Sequence, residues 1–276
     1  MILLHLAAAA LYAVVAWALW PPPPAAPGAP TEPARTSAAW AAWAGWLLPL
    51  AILLHAWAAW SDIAAPEGLD LSLANAVSVV GGLVAAIAVV SGLLRTLPAI
   101  GTVVLPVAAV AVLLPALFSN PHDYPFADKP LAAVHVAVAF VAYALFLVAA
   151  LQALLLMGLE KRLHRRLPDP GAAALPPLLT LERFLFRLVG AGFVLLTLTL
   201  ASGMLFSEQV FGRPLVFNHK VVFSVLGWLT FGALLWGRRQ YGWRGRVALR
   251  WILAGTVFVF LAYLGSKFVL EVLLRR

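Results

Sequence analysis

Long apolar runs follow one another along the whole chain. Because a helix needs about 18 or more apolar residues to cross a bilayer, we interpret eight of these runs as membrane spans. They cover roughly residues 2–20, 39–60, 71–94, 99–118, 131–158, 184–207, 216–237 and 248–272. The pattern therefore predicts an all-α polytopic integral membrane protein, a bundle of eight transmembrane helices that forms one domain over residues 1–276.

The segments between the runs are short. Residues 21–38 are rich in Pro and Ala, which predicts an extended, semi-rigid connector. The 159–183 connection is the longest of the others, and no connection exceeds about 25 residues by the span lengths used here. A soluble catalytic domain has no room in this chain, and we expect no enzyme activity.

The composition excludes several classes of protein. Hydrophobic residues make up 63% of the chain and charged residues 11%, with a mean hydropathy of +0.96, whereas a soluble domain is about half apolar and about a quarter charged. The chain has no cysteine, so disulfides, thiolate metal sites and covalent c-type haem attachment are unavailable. A metal-binding group would have to be held by His or oxygen ligands.

The basic residues predict the orientation of the bundle. Of the 19 Lys and Arg residues, 13 fall on one side of the predicted spans. The positive-inside rule makes that side cytoplasmic and places both termini outside. The net charge of +8 is then an orientation signal rather than a sign of nucleic-acid binding. The basic 159–183 connection is interpreted in the same way, as a solvated cytoplasmic loop rather than a partner-binding surface.

Five of the six histidines fall in the outer half of the predicted bundle. Three of them, His55, His135 and His219, lie on different spans, at a depth of roughly 5–8 Å from a rise of 1.5 Å per residue. An ionisable residue inside a membrane indicates a functional site, and neutral imidazole is a common ligand of haem iron. The three can converge on one point, or each can bond to a neighbouring helix.

Other residues of the outer half suit a flat, amphipathic, acidic ligand such as haem. Aromatic side chains for the ring faces are Trp57, Trp60, Phe140, Tyr143, Phe206, Phe211, Phe217 and Phe223, and cations for the propionates are Lys129, Arg213, Lys220 and Lys267. The alternatives are an interfacial aromatic belt and ordinary loop charges. No Asp, Glu, Lys or Arg lies near the middle of a predicted span, which disfavours an ion-coupled transporter.

Several stretches resemble the cytochrome c assembly membrane proteins (CcsA, ResC and CcmC). Residues 131–144, with His135 and Tyr143, resemble the helix that opens with an externally facing haem-ligating histidine. Residues 235–246 and 262–267 look like the penultimate inner turn and the last helix of that family. Residues 176–183 and 195–203 are similar to its short YpjD/HemX-type branch. The resemblance covers essentially the whole chain and agrees with eight spans.

The chain also departs from the family pattern. The tryptophan-rich external WWD segment should fall between spans six and seven, where residues 206–220 contain no Trp, and Asn218, His219 and Lys220 stand near its acidic end. A second external histidine is absent, and Trp236-Gly237-Arg238 replaces the membrane histidine. The family pattern therefore transfers only His135. His55 matches a histidine position of the short branch, and His219 follows from depth alone.

The resemblance implies a non-enzymatic haem-binding or haem-handling protein of the bacterial inner membrane, related to cytochrome c assembly. Haem b is the expected cofactor, with His135 as an axial ligand of the iron and His55 or His219 opposite it. The expected partners are membrane lipid, haem and other cytochrome c biogenesis or haem-synthesis proteins. A different class stays open, a cofactor-free membrane regulator or scaffold that acts on haem biosynthesis through its basic cytoplasmic loops.

Overall fold

The computed structural model describes residues 1–20, 38–65, 68–118, 123–124, 130–164, 177–205, 207 and 218–273. The long helices of these ranges follow one another with short connections. They are α1 (Ile2–Leu19), α2 (Ala38–Ile63), α3 (Leu73–Val90), α5 (Pro98–Leu117), α6 (Pro130–His164), α7 (Leu178–Leu205), α8 (His219–Tyr241) and α9 (Gly245–Phe260). A single turn, α4 (Leu93–Thr96), lies between α3 and α5, and α9 continues through π-helical turns at Leu261–Gly265 and Phe268–Leu273.

Eight helices of the described ranges are long and apolar enough to cross a membrane. This confirms the predicted fold class and number of spans. The predicted connector at 21–38 lies outside the described residues except for Ala38, and the division into one domain with a connector stays a prediction. Helix α6 has 35 residues, which corresponds to about 52 Å and exceeds the roughly 30 Å apolar thickness of a bilayer.

A small sheet, not predicted from the sequence, closes one end of the bundle. Its strands are β1 (Ala64–Ala65), β2 (Gly68–Asp70) and β3 (Asp123–Tyr124). They pair antiparallel in the order β1-β2-β3, with Leu69 opposite both Ala64 and Tyr124. The sheet therefore ties the loop after α2 to the loop after α5.

The helices pack as two halves that share a contact. In the first half α1 lies against α2 and α5, and α3 lies against α5. In the second half α6 packs on α7 and α9, and α8 packs on α9 and α7. Helix α3 also packs on α6, so these two helices join the halves.

Two stacked phenylalanines form the centre of the second half. The rings of Phe146 on α6 and Phe231 on α8 are nearly parallel, with their centroids 4.0 Å apart. Gly192 on α7 lies behind Phe146, where a Cβ atom would come within 2.9 Å of the ring, and Gly255 on α9 lies behind Phe231, where it would come within 2.8 Å. One stack of two rings between two glycine backbones thus sets the spacing of four helices.

We expect Gly192→Ala to destabilise the protein because the added methyl group would press on a ring that Phe231 prevents from moving away. Overpacking of this kind costs about 1–3 kcal/mol. The matched control is Gly190→Ala on the same helix, since Gly190 has no atom within 4 Å of an added Cβ. The midpoint of thermal unfolding in detergent should fall for the first variant only, and equal midpoints would show that the stack is not tightly packed.

Candidate functional site

His135 lies just over one turn into α6 and is held by a chain of hydrogen bonds to α7. Its Nδ1 atom is 2.8 Å from the hydroxyl oxygen of Ser202. That hydroxyl donates to the carbonyl oxygen of Thr199, 3.1 Å away and one turn earlier in the same helix. Because the single hydroxyl hydrogen of Ser202 is used on Thr199, Ser202 accepts a hydrogen bond and the Nδ1–H group of His135 donates it.

These two hydrogen bonds determine which nitrogen of His135 carries the lone pair. In neutral imidazole only one nitrogen bears a hydrogen, so a donating Nδ1 leaves the lone pair on Nε2. Histidines that bind a metal almost always donate from their other nitrogen to an oxygen acceptor, which fixes the ring and its tautomer. Gly203 lies beside the ring, and a Cβ atom there would be 3.4 Å from Cε1. The ring of His135 is therefore held by a hydrogen bond of the kind that metal-binding histidines make.

His55 has a different environment, in the core of the first half. Its Nδ1 atom is 3.3 Å from the hydroxyl of Tyr12 on α1, and its Nε2 atom is 3.1 Å from the hydroxyl of Ser78 on α3. The ring is 1% exposed and lies against Gly82, where a Cβ atom would be 3.2 Å away. Both nitrogens are engaged, so His55 links three helices.

A second pair of polar side chains links α1 and α2, the helices that carry Tyr12 and His55. This pair was not identified from the sequence. The Nε2 atom of His5 on α1 is 2.8 Å from a carboxylate oxygen of Asp62 on α2, and its Nδ1 atom is 3.1 Å from the carbonyl oxygen of Met1. His5 is 1% exposed. His5 and Tyr12 are seven residues apart, and so are His55 and Asp62, so the two pairs lie two turns apart in an antiparallel arrangement. This equal spacing of seven residues is visible in the sequence and could have predicted the two pairs.

His219 is the first residue of α8, and its side chain is exposed. Asn218 caps this helix by accepting a hydrogen bond from the backbone N–H of Val221. Within the described ranges no group of three or more His, Asp or Glu side chains is placed to hold one metal ion. The three histidines expected to converge therefore do not share one metal-sized site, and their role as haem ligands stays a prediction.

An aromatic cluster lies between α6 and the last helix, below His135. The ring centroid of Tyr263 is 5.7 Å from that of Phe140 and 6.0 Å from that of Tyr143. Tyr263 lies in the first π-helical turn, a feature often found at functional sites. Lys267 follows four residues later and is 3% exposed. A lysine is buried this fully only when it is paired, and Lys267 has a partner inside the bundle.

The other residues expected to support a ligand are distributed differently. Trp57 and Trp60 are 66% and 67% exposed, which favours an interfacial belt over packing inside the bundle. Phe223 stacks on Phe258 of α9 with the centroids 6.5 Å apart. Lys220 is partly exposed near the start of α8. Lys129, Phe206, Phe211, Arg213 and Phe217 lie outside the described residues.

The opposite end of the bundle has ion pairs that connect the helices of the second half. A guanidinium nitrogen of Arg238 on α8 is 3.9 Å from the carboxylate of Glu182 on α7, and the guanidinium carbon is 3.4 Å from the ring centre of Phe186. Arg246 on α9 lies 3.8 Å from the carboxylate of Glu160 on α6. Four helix ends therefore meet at this surface.

The fold and the geometry define a class of protein, a multi-pass membrane protein with an oriented imidazole near one end of its bundle and an arginine-rich surface at the other. Within that class the chain belongs to the cytochrome c assembly protein family, which matches residues 43–274. Helix α1 precedes the matched region, although its polar contacts with α2 complete the first half. The match confirms the family that the sequence motifs indicated.

Two relatives show how far the similarity extends. The chain is 30% identical to the inner membrane protein YpjD of Escherichia coli (strain K12) over 230 residues, which cover 81% of this chain and 85% of that protein. It is 32% identical to the cytochrome c biogenesis protein CcsA of Gloeobacter violaceus over 92 residues, which cover 33% of this chain and 27% of that protein. No solved structure matches the chain.

We expect His55→Leu to lower stability in the absence of any haem. The change would leave the hydroxyl groups of Tyr12 and Ser78 buried without the imidazole, at a cost of about 1–3 kcal/mol. His219→Leu is the control, because surface substitutions usually change stability by about 0.5 kcal/mol or less. Thermal unfolding of the haem-free protein measures both, and equal midpoints would refute a structural role for His55.

Proposed function

We propose that this protein is a haem-binding or haem-handling protein of the bacterial inner membrane that takes part in cytochrome c assembly without catalysing a reaction. The observation that supports this most directly is the chain from His135 through Ser202 to Thr199, which places the imidazole lone pair on Nε2. The family relationship and the similarity to a cytochrome c biogenesis protein support a role in the assembly of cytochromes c, which are haem proteins. Haem b, when bound, would supply an iron centre that takes axial nitrogen ligands.

Other residues of the helices that carry His135 and Tyr263 suit such a group. Gly203 leaves space beside the imidazole, and the aromatic cluster of Phe140, Tyr143 and Tyr263 supplies apolar ring faces and edges on the same side of the bundle. Lys267 provides a cation that would match a propionate. These side chains would bind and orient the ligand and exclude water from it.

The second axial position had two candidates, His55 and His219. His55 would have to give up a hydrogen bond to Tyr12 or to Ser78 before either nitrogen became available. The imidazole of His219 is exposed at the start of α8, so it would need no such exchange. We therefore favour His219 opposite His135.

Absorption spectra of the purified protein after haem addition test this proposal. We expect a Soret band shifted by two imidazole ligands in the wild type, loss of that shift in His135→Ala, and about 10- to 100-fold weaker binding in Ser202→Ala, as for other residues that orient a ligating histidine. His135→Gly with added imidazole should recover the shift, which would separate ligation from a folding defect.

The controls make the outcome specific. His219→Ala should change the ligation state, whereas Tyr12→Phe, which weakens the surroundings of His55, should leave the spectrum unchanged. A haem spectrum that is the same with and without the wild-type protein would refute haem binding and favour the cofactor-free regulator. A shift that survives in His135→Ala would refute the assignment of the ligand.

The orientation is also a proposal. By the positive-inside rule, the basic residues favour an arginine-rich end in the cytoplasm and an end with His135 outside. A reporter enzyme that is active only outside the cytoplasm, fused after Arg276, should therefore be active. A cytoplasmic reporter that is active in its place would put His135 on the wrong side of the membrane for the proposed role.

A further inference from the structure

The arginine-rich end of the second half carries more positive charge than its ion pairs balance. Residues 238–250 contain five arginines and no acidic residue. Of the described residues at this end, Glu160 and Glu182 are the acidic side chains, and each lies near one arginine. Six arginines from α7, α8, α9 and the turn before α9 are exposed, namely Arg183, Arg187, Arg239, Arg244, Arg246 and Arg250.

This surface is rigid rather than a loose loop. The turn between α8 and α9 reverses at Gly242, which has a φ of 66°, and the backbone N–H of Trp243 donates to the carbonyl oxygen of Gly237. The ring of Trp243 lies directly on Gly237, where a Cβ atom would be 2.5 Å away. Four of the six exposed arginines, Arg239, Arg244, Arg246 and Arg250, therefore lie on a fixed hairpin.

A row of aromatic rings places the hairpin at the membrane boundary. Trp236, Tyr241, Trp243 and Trp251 contact one another in sequence, with centroid distances of 5.8, 6.3 and 5.3 Å. Trp236 and Tyr241 are 59% and 67% exposed at the end of a membrane-spanning helix. Exposed Trp and Tyr at such positions lie at the level of lipid headgroups, so the neighbouring arginines lie at the level of lipid phosphates.

The kind of cation indicates the kind of ligand. Every cation of residues 238–250 is arginine, whose planar guanidinium group donates two parallel hydrogen bonds to a phosphate, which lysine does not do. Arg238, held between Glu182 and Phe186, keeps α7 next to α8, so the arginines of both helices belong to one surface. We propose that this surface binds the phosphate group of an anionic phospholipid of the surrounding bilayer.

Native mass spectrometry of the full-length protein in detergent tests the proposal, with equimolar phosphatidylglycerol and phosphatidylcholine added. The wild type should retain phosphatidylglycerol in preference to phosphatidylcholine. The double variant Arg239→Gln/Arg250→Gln removes two exposed arginines outside both ion pairs, and it should lose about fivefold in retention for each charge removed. Arg95→Gln, an exposed arginine of α4 in the first half, is the matched control and should behave like the wild type.

Three outcomes would overturn the proposal. Equal retention of the two lipids by the wild type would show that the surface does not select anionic headgroups. Unchanged retention by the double variant, with its unfolding midpoint intact, would show that these arginines do not hold the lipid. Displacement of the lipid by millimolar inorganic phosphate would show a site for the free anion. Loss of the preference for phosphatidylglycerol in the double variant, but not in Arg95→Gln, would support the lipid site. This result does not depend on the outcome of the haem spectra.

Discussion

The stack of Phe146 on Phe231 between two glycine backbones is the contact on which the second half of the bundle depends. Helices in a bilayer gain little from hiding apolar surface, because the lipid is equally apolar, and close packing through small residues has to hold them instead. Gly192 fixes the distance between α6 and α7 at the middle of the membrane. The bond from His135 to Ser202, about 15 Å further along, depends on that distance.

The absence of water explains why the histidines have such different surroundings. A polar group in the apolar region must find a partner inside the protein. His55 meets this requirement with two hydroxyl groups of other helices, and His5 meets it with Asp62 and a backbone carbonyl. His135 meets it on the Nδ1 side through Ser202, which orients Nε2. The same constraint has therefore bonded all three histidines to other parts of the bundle, and it holds the ring of His135 in one orientation.

The fold was largely predictable, because a run of about 20 apolar residues is a sufficient signal for a membrane helix. His135 was proposed as a site residue because its neighbours resemble those of a known family, and that role stays a prediction. Its partner Ser202 is 67 residues away, and no sequence pattern states how two helices align along their axes. That His55 bonds to neighbouring helices was one of the two alternatives predicted for it, but its partners Tyr12 and Ser78 were not predicted, for the same reason. The three-stranded sheet was missed because its strands are only two or three residues long.

The two polar pairs between α1 and α2 also fix the position of α1 along its own axis. A slip of one turn would separate His5 from Asp62 and Tyr12 from His55 together, so each of the four side chains would lose its partner on the other helix. Intermediate positions are therefore unfavourable, although apolar helix surfaces alone would tolerate sliding. Helix α1 lies outside the matched region of the family, but its two polar pairs fix its position against α2 and so align the first half of the bundle.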